Sequence, residues 1–324
     1  MDDHLPQVTP HFHEAAMPAT ERQFGYYPVP LDLTAGAISI ETLPELERTV
    51  ADIESDELVD NGWIYAPLQR VKPLGGEVFE RPYSARVFGL PKTHRFRHAA
   101  PDCDDQLVFH LWALSFFTGT RLTSAEAGFL DATPIKPGKL VDFVLLGRSL
   151  EYGVEVAETF WLAHRCDQRR AKLVAAAIHA MFLGQYPQLL QFERFLLLYS
   201  AFDACFALAE AIHQPKGRIT HTARVEWMCD RFGIPVPAWA ATSATSRPEL
   251  AMLRNAAVHE AMFMGEPLGF ALHGVHKPQN LTLEMKALIC RFIVALLGAS
   301  ADEYLQARVD TRQRQGLRLG EAPG

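Results

Sequence analysis

The segment LLQFERFLLLYSAFDACFALAEAIHQ, residues 189–214, decides the expected fold. Read as a helix, it carries apolar and aromatic side chains on more than one face, which is typical of a helix at the centre of a bundle or in an oligomer interface. Asp203 is the exception. A carboxylate on so apolar a helix needs a donor, so Asp203 either orients a functional group or bonds an Arg or Trp of a neighbouring helix.

Segments on both sides of this helix extend the expected bundle. Apolar helical patterns cover residues 102–119 and 138–186 before it, and a short amphipathic pattern over 219–232 ends at Gly233 after it. A last apolar helix covers 281–298. These patterns predict a largely helical C-terminal part of the chain.

The N-terminal part has a mixed texture. Short β-prone segments at 37–40, 63–65 and 85–88 alternate with Pro and Gly, and 43–60 is typical of an acidic helix with a solvated face. The predicted fold class is therefore α+β and predominantly α. The predicted parts are a poorly ordered leader over 1–25, a mixed α/β N-terminal domain over 26–150, a helical bundle over 151–305 and a basic tail over 306–324.

The segment PELAMLRNAAVHEAMFMG, residues 248–265, carries the most informative polar side chains. We expect a helix of roughly four turns that begins with Ser246 as its N-cap and ends at Gly265. On such a helix Asn255 and His259 fall about 40° apart, one turn from each other.

Arg254 stands further round the same helix, and its long side chain can reach a phosphate held over Asn255 and His259. An always-charged guanidinium, a side-chain amide and an imidazole that exchanges protons near neutral pH suit a phosphodiester substrate. These residues also have an ordinary structural interpretation, in which His259 packs at a helix edge and Arg254 pairs with an acid at the bundle surface. The acids expected within reach are Glu226, Glu249 and Glu260.

Composition limits the classes of function. The chain of 324 residues has a net charge of −7, which argues against a protein that coats nucleic acid through bulk charge and leaves room for a local basic site. Its five cysteines are odd in number and widely spaced, as in a reduced cytoplasmic protein. We expect no signal peptide and no apolar run long enough to span a bilayer, so the expected location is the cytoplasm, with no membrane partner.

Two further sets of residues invite a binding interpretation. KTHRFRH, residues 92–98, forms a compact basic cluster in which Lys92, Arg95 and Arg97 either contact RNA phosphates or form an ordinary charged surface. His11 and His13 form an HxH pair that either binds a metal or belongs to a solvated terminus; the latter is favoured, so no metal and no cofactor are expected.

The order of elements resembles the HEPN superfamily ("higher eukaryotes and prokaryotes nucleotide-binding"). A long aromatic helix with an embedded acid (FERFLLLYSAFDACFALAE), a short amphipathic helix, a helix carrying Arg-Asn-xxx-His (LRNAAVHE) and a last apolar helix follow one another. The resemblance covers roughly residues 165–300 and is strongest to the ApeA-like branch of large prokaryotic HEPN proteins. It implies a four- or five-helix bundle that forms a homodimer.

The resemblance also implies an activity. Many HEPN domains are metal-independent endoribonucleases, and Arg254, Asn255 and His259 fill the family's motif, with Tyr199 and Asp203 as supporting residues. The two copies of the motif would form one composite site across the dimer. His259 would transfer protons while Arg254 opposes phosphate charge as the 2′-hydroxyl attacks, and the product would be a 2′,3′-cyclic phosphate.

The biological setting implied by this family is prokaryotic defence against phage, with the N-terminal domain sensing a nucleotide or a phage-derived ligand. A second hypothesis is a non-catalytic HEPN module that binds nucleotide, RNA or a protein partner. A third is a helical assembly protein whose apolar helices serve oligomerisation only. The nuclease hypothesis predicts RNA cleavage, and the non-catalytic module predicts tight binding without turnover. The assembly protein predicts that substitution of Arg254 and His259 has no effect on activity.

Overall fold

The computed structural model is a mixed protein of helices and sheets, and helix predominates among the described residues. The described residues are 20–81, 87–125, 129–130, 132–141, 149–242, 248–259, 264–265, 269–270, 281–299 and 302–310.

Helices make up most of the C-terminal half. The helices are α1 Leu46–Glu54, α2 Asp104–Thr118, α3 Ser149–His164, α4 Gln168–Leu183, α5 Gln191–His213, α6 Arg224–Phe232, α7 Glu249–Arg254, α8 Leu281–Leu296 and α9 Asp302–Gln306, with a π-helical turn, Asn255–His259, after α7.

Strands lie mainly in the N-terminal half. They are β1 Glu21–Phe24, β2 Leu33–Ala35, β3 Ile38–Thr42, β4 Val59–Asp60, β5 Trp63–Tyr65, β6 Gln69–Val71, β7 Phe79–Arg81, β8 Val87–Phe88, β9 His94–His98, β10 Phe129–Leu130, β11 Ala132–Pro134, β12 Met264–Gly265 and β13 Gly269–Phe270. The largest sheet has the order β1-β9-β3-β2 and is antiparallel throughout. A three-stranded sheet has the order β11-β5-β4, and three two-stranded pairs complete the set among the described residues.

Helix α2 joins the sheet to the helical bundle. Its Leu107 and Leu111 pack in one core with Phe96 of β9, while Phe109 and Phe116 pack in a second core with the bundle helices. A helix with apolar residues on all sides can be buried between two layers in this way. The boundary expected after residue 150 falls within the first turn of α3, and α3 packs closely against α2.

The helix expected over 189–214 is confirmed. α5 runs from Gln191 to His213, and its Phe195, Phe202 and Phe206 are buried in the bundle core. α5 packs mainly against α4 and α8, so it is central to the bundle. The expected end of the short amphipathic helix at Gly233 is also confirmed, since that glycine takes a left-handed conformation with φ 66° after α6.

The expectation of a four-turn helix over 248–265 was wrong. α7 ends at Arg254 after six residues, and a π-helical turn follows. The N-cap position is held by Pro248, whereas Ser246 lies outside the described residues. Gly265 belongs to strand β12 and pairs with Gly269 instead of ending a helix. Hydrogen bonds from residue i to i+5 in a π turn replace the α-helical pattern that the apolar spacing predicted.

The acidic segment at 43–60 is helical only as far as Glu54. Val59 and Asp60 form strand β4 because the next two residues, Asn61 and Gly62, both adopt positive φ angles of 49° and 78°. An Asn-Gly pair in this conformation makes the tight turn of a β-hairpin, which pairs β4 with β5. The helical expectation for 55–60 was wrong because this turn competes with the helix.

Helix α5 also corrects the expectation about membrane spans. Among the described residues it is the one helix that is long and apolar enough to cross a membrane by length and composition, and 50% of its apolar window is buried inside the protein. The core helix of a soluble protein meets the same two criteria. Length and composition therefore do not distinguish a core helix from a spanning one here.

Candidate functional site

Arg254 lies at the end of α7, against the middle of α5. Leu250 and Ala257, on either side of it in sequence, are buried in the bundle core and so determine the face on which Arg254 lies. Its Nη1 donates to Asn255 Oδ1 over 3.3 Å, and its guanidinium hydrogen-bonds the Tyr199 side chain. The structure thus brings together two of the predicted motif residues and one of the predicted supporting residues.

His221 approaches the same tyrosine from the turn before α6. The Tyr199 hydroxyl lies 3.5 Å from His221 Nδ1, which is long for a hydrogen bond. Tyr199 is 6% exposed, so its hydroxyl is reached mainly by these neighbours. Residues from α5, α7 and the α6 turn therefore meet at one point.

Asp203 lies one helical turn after Tyr199 on α5. It accepts a hydrogen bond from Arg224 Nη1 of α6 over 2.7 Å, and the Arg224 guanidinium lies 4.3 Å from the centre of the Phe206 ring. Of the two interpretations of Asp203, the bond to an Arg of a neighbouring helix is the one observed. We use the name arginine cluster for the residues Tyr199, Asp203, His221, Arg224, Arg254 and Asn255.

The protonation of the arginine cluster follows from its burial and charges. Burial lowers the pKa of His221, the positive charges of Arg224 and Arg254 lower it further, and Asp203 opposes the shift. Burial raises the pKa of Tyr199. At neutral pH His221 is therefore able to accept a proton, and Tyr199 keeps its hydroxyl proton for donation.

The arginine cluster has the charge of an anion site. Arg224 and Arg254 are both cationic, and the carboxylate of Asp203 bonds Arg224. A guanidinium suits phosphate oxygens through its planar set of donors, and an unprotonated imidazole beside it can move a proton. The arrangement can bind a phosphate and transfer a proton at it.

His259 ends the π-helical turn that begins at Asn255. Its side chain lies outside the described residues, as does Glu260. Of the other acids that were expected near Arg254, Glu226 instead accepts hydrogen bonds from the backbone and hydroxyl of Thr242.

The basic cluster at 92–98 is tied to other groups. Lys92 Nζ donates to the backbone oxygens of Thr123 and Ala125 at 3.2 and 2.5 Å. Arg95 and Arg97 lie on β9 and pair with nearby carboxylates: Arg95 with Glu41 at 3.7 Å, and Arg97 with Glu41 and Glu21 at 3.0 Å each. These carboxylates reduce the positive charge that an RNA phosphate would meet on this face.

The two histidines of the same segment are buried. His94 and His98 are 0% and 3% exposed, so neither contributes to a basic surface. Among the described residues, the side chains grouped closely enough to hold a metal ion are His98, His110 and Glu158, on β9, α2 and α3. The HxH pair of His11 and His13 lies outside the described residues.

The sequence did not point to three residues of these clusters, Arg224, His221 and Glu158. No sequence motif marks Arg224 or His221 as part of the arginine cluster. Arg224 lies 21 residues after Asp203, so it could have been considered as the partner that Asp203 needs. Glu158 is 60 residues from His98 and 48 from His110, so no short spacing pattern links them. An acidic residue on an otherwise apolar helix was the available signal in both cases.

Comparison of the chain with protein-family models, with curated proteins and with solved structures gave no match. The resemblance to HEPN proteins therefore depends on the residues of the motif and on the order of the helices.

Proposed function

We propose that this protein is a metal-independent endoribonuclease of the HEPN type, with a site formed by Arg254, Asn255 and His259. The observation that carries the proposal is the arginine cluster, in which Arg254 meets Tyr199 beside the unprotonated imidazole of His221. A cation, a hydroxyl donor and a proton acceptor in one place support phosphodiester chemistry better than a purely structural role.

The proposed chemistry uses the ribose itself as the nucleophile. A histidine removes the 2′-hydroxyl proton, the oxygen attacks phosphorus, and a second proton donor protonates the departing 5′-oxygen. Arg254 opposes the charge that develops on the phosphorus oxygens. His259 and its copy in a second subunit would perform the two proton transfers. His221, whose Nδ1 lies 3.5 Å from the Tyr199 hydroxyl, offers a further proton acceptor beside Arg254.

The proposal includes a cytoplasmic homodimer that acts in defence against phage. A twofold axis places the same patch of both subunits in contact, so two half-sites can form one composite site. The N-terminal sheet and its adjoining helices would then sense a nucleotide or phage-derived ligand and restrain the nuclease.

Purified wild type, Arg254→Ala and His259→Ala should be incubated with single-stranded RNA in the presence of EDTA. We expect wild type to cut the RNA and leave 2′,3′-cyclic phosphate ends, and DNA of the same sequence to remain intact. Loss of a proton-transfer group costs on the order of 10²–10⁴-fold in rate, and loss of a charge-stabilising donor on the order of 10²–10³-fold.

His179→Ala is the matched control, because His179 is an exposed histidine of α4 that contacts Trp112 and not the arginine cluster. It should cut RNA at the wild-type rate. Equal cleavage by wild type and His259→Ala, or by neither, would remove the assignment of His259. Tight RNA binding by wild type without cleavage, lost in Arg254→Ala, would favour the non-catalytic HEPN module instead.

A further inference from the structure

Two buried histidines and one partly buried glutamate converge where β9, α2 and α3 meet. His98 Nε2 lies 3.3 Å from Glu158 Oε1, and His110 Nε2 lies 2.9 Å from Glu158 Oε2. The side chains of His98 and His110 are 3% and 1% exposed, whereas that of Glu158 is 20% exposed. The group is thus enclosed by protein and reached by solvent along Glu158.

Two nitrogen atoms that both carry hydrogen lie side by side in this group. Asp102 N–H donates to Gln106 Oε1 over 2.7 Å, which fixes the Gln106 amide so that its NH₂ faces His98 Nε2 at 3.0 Å. Ala100 N–H donates to His98 Nδ1 over 3.2 Å, so Nε2 is the nitrogen that donates to Glu158 Oε1. The contact between Gln106 Nε2 and His98 Nε2 therefore brings two donors together beside the carboxylate that both of them bond.

His110 has a ring nitrogen without a hydrogen-bond partner among the described residues. This atom, Nδ1, is buried. Buried polar atoms in native proteins are nearly always satisfied, and an exception points to a function or to a missing ligand. An ion bound at Nε2 leaves this atom as it is, so the case for a ligand depends on the convergence of His98, His110 and Glu158.

We propose that His98, His110 and Glu158 form a binding site for Zn²⁺. Zn²⁺ takes two imidazole nitrogens and a carboxylate oxygen readily, at bond lengths of about 2.0–2.1 Å that place tetrahedral ligand atoms about 3.3 Å apart. The three ligand atoms lie within 4.8 Å of one another, so side-chain rotations suffice to reach that spacing. Mg²⁺ and Ca²⁺ are excluded because both prefer sets made of oxygen atoms.

Binding moves one proton within each imidazole. The proton on Nε2 passes to Nδ1 through exchange with water, which frees the Nε2 electron pair for the ion and leaves the net proton count unchanged. His110 Nδ1 has no competing partner among the described residues, whereas His98 Nδ1 must move away from the Ala100 N–H. The Gln106 amide keeps its bond of 2.9 Å to Glu158 Oε2 and so holds the carboxylate.

The test is a calorimetric titration of the chelator-treated full-length protein with Zn²⁺ alone. We expect one ion per chain in wild type and an affinity lowered at least about 100-fold in Glu158→Gln and in His110→Gln, since the loss of groups that merely orient ligands already costs 10–100-fold. His179→Ala and a His11→Ala/His13→Ala double variant are matched controls and should bind as wild type does.

X-ray absorption of the wild-type zinc complex keeps the proposal testable if the variants fail to fold. We expect nitrogen and oxygen neighbours at about 2.0–2.1 Å with imidazole scattering, whereas binding by the free cysteines would give sulfur at about 2.3 Å. Sulfur ligands, absence of binding, or wild-type affinity in a folded Glu158→Gln would overturn the site. None of these readouts involves RNA, so they are independent of the proposed nuclease.

Discussion

His94 illustrates how burial determines protonation at a single residue. Its ring is 0% exposed, stacks on Phe24 at 5.4 Å, and has an Nε2 without a hydrogen-bond partner among the described residues. Burial lowers its pKa from 6.5 to about 4, against weaker opposing effects of Asp32 and the Val29 backbone. The segment 92–98 therefore contains a neutral core histidine where its sequence indicated a charged surface.

A pH-dependent stability follows from this shift. A histidine whose folded pKa is lowered contributes full stability above its unfolded pKa near 6.5 and loses it as the pH falls towards the folded value. For His94 we expect a loss of about 2 kcal/mol between pH 7 and pH 5. Urea unfolding of wild type and His94→Phe at both pH values measures it, because the other histidines titrate in both proteins. An equal loss in the two proteins would contradict the pKa assigned to His94.

The arginine cluster shows a further effect at residue scale. Tyr199 and Asp203 are one turn apart on α5, and each contacts an arginine from a different helix. Two guanidinium groups held against one helix are stable only if carboxylate, hydroxyl and aromatic partners compensate their charge. Asp203 and the ring of Phe206 provide that compensation for Arg224.

At the scale of elements, α2 ends in a close approach of two backbones. Gly119 terminates the helix with φ 65°, and a Cβ placed on it would lie 2.6 Å from Gly138 Cα. Gly36 has a similar φ of 58° with no atom within 4 Å of such a Cβ. A comparison of substitutions at Gly119 and Gly36 therefore separates the cost of a strained backbone from the cost of a steric clash.

Gly119→Ala should therefore destabilise the protein more than Gly36→Ala. Both substitutions place a side chain in the left-handed region at a cost of about 1–2 kcal/mol, and Gly119→Ala adds an overpacking cost of about 1–3 kcal/mol. Chemical denaturation at neutral pH gives both free energies of unfolding. Equal losses would show that the loop around Gly138 moves aside without cost.

The π-helical turn is the element on which the proposed site depends. α-helical spacing would place Asn255 and His259 on one face, and the wider turn over Asn255–His259 changes that relation. π turns occur frequently at functional sites, because they redirect side chains at a cost in backbone hydrogen bonding. Their occurrence at the motif accords with the proposed role of this segment.

For the whole molecule, the proposed composite site makes a quantitative prediction. When wild type and His259→Ala are unfolded together, refolded and assayed on RNA, only dimers with two intact copies are expected to cut. Random pairing at equal amounts then leaves about a quarter of the activity per dimer, against about half if each subunit acts alone.

His179→Ala is the control for the same experiment and should leave full activity after mixing. If activity falls in direct proportion to the fraction of wild-type protein, the site is not shared between subunits. That result would not contradict RNA cleavage by a single subunit. A protein that sediments as a monomer would contradict the proposed dimer as well.

Local sequence patterns determined the central helix α5, the end of α6 and several strands of this protein. The apolar run over 189–214 predicted α5, the glycine at 233 predicted the end of α6, and the β-prone residues 37–40 and 63–65 lie in or overlap strands β3 and β5. Such signals arise from side-chain periodicity and turn residues, which act over a few positions.

Tertiary structure alone decided which polar side chains meet. The apolar spacing of 248–265 predicted an α-helix and gave no sign of the π-helical turn over 255–259. Arg224 reaches Asp203, His221 reaches Tyr199, and Glu158 reaches two histidines, because the fold brings separate elements together at these points. Contacts between residues 21 to 60 positions apart leave no periodic trace in the sequence.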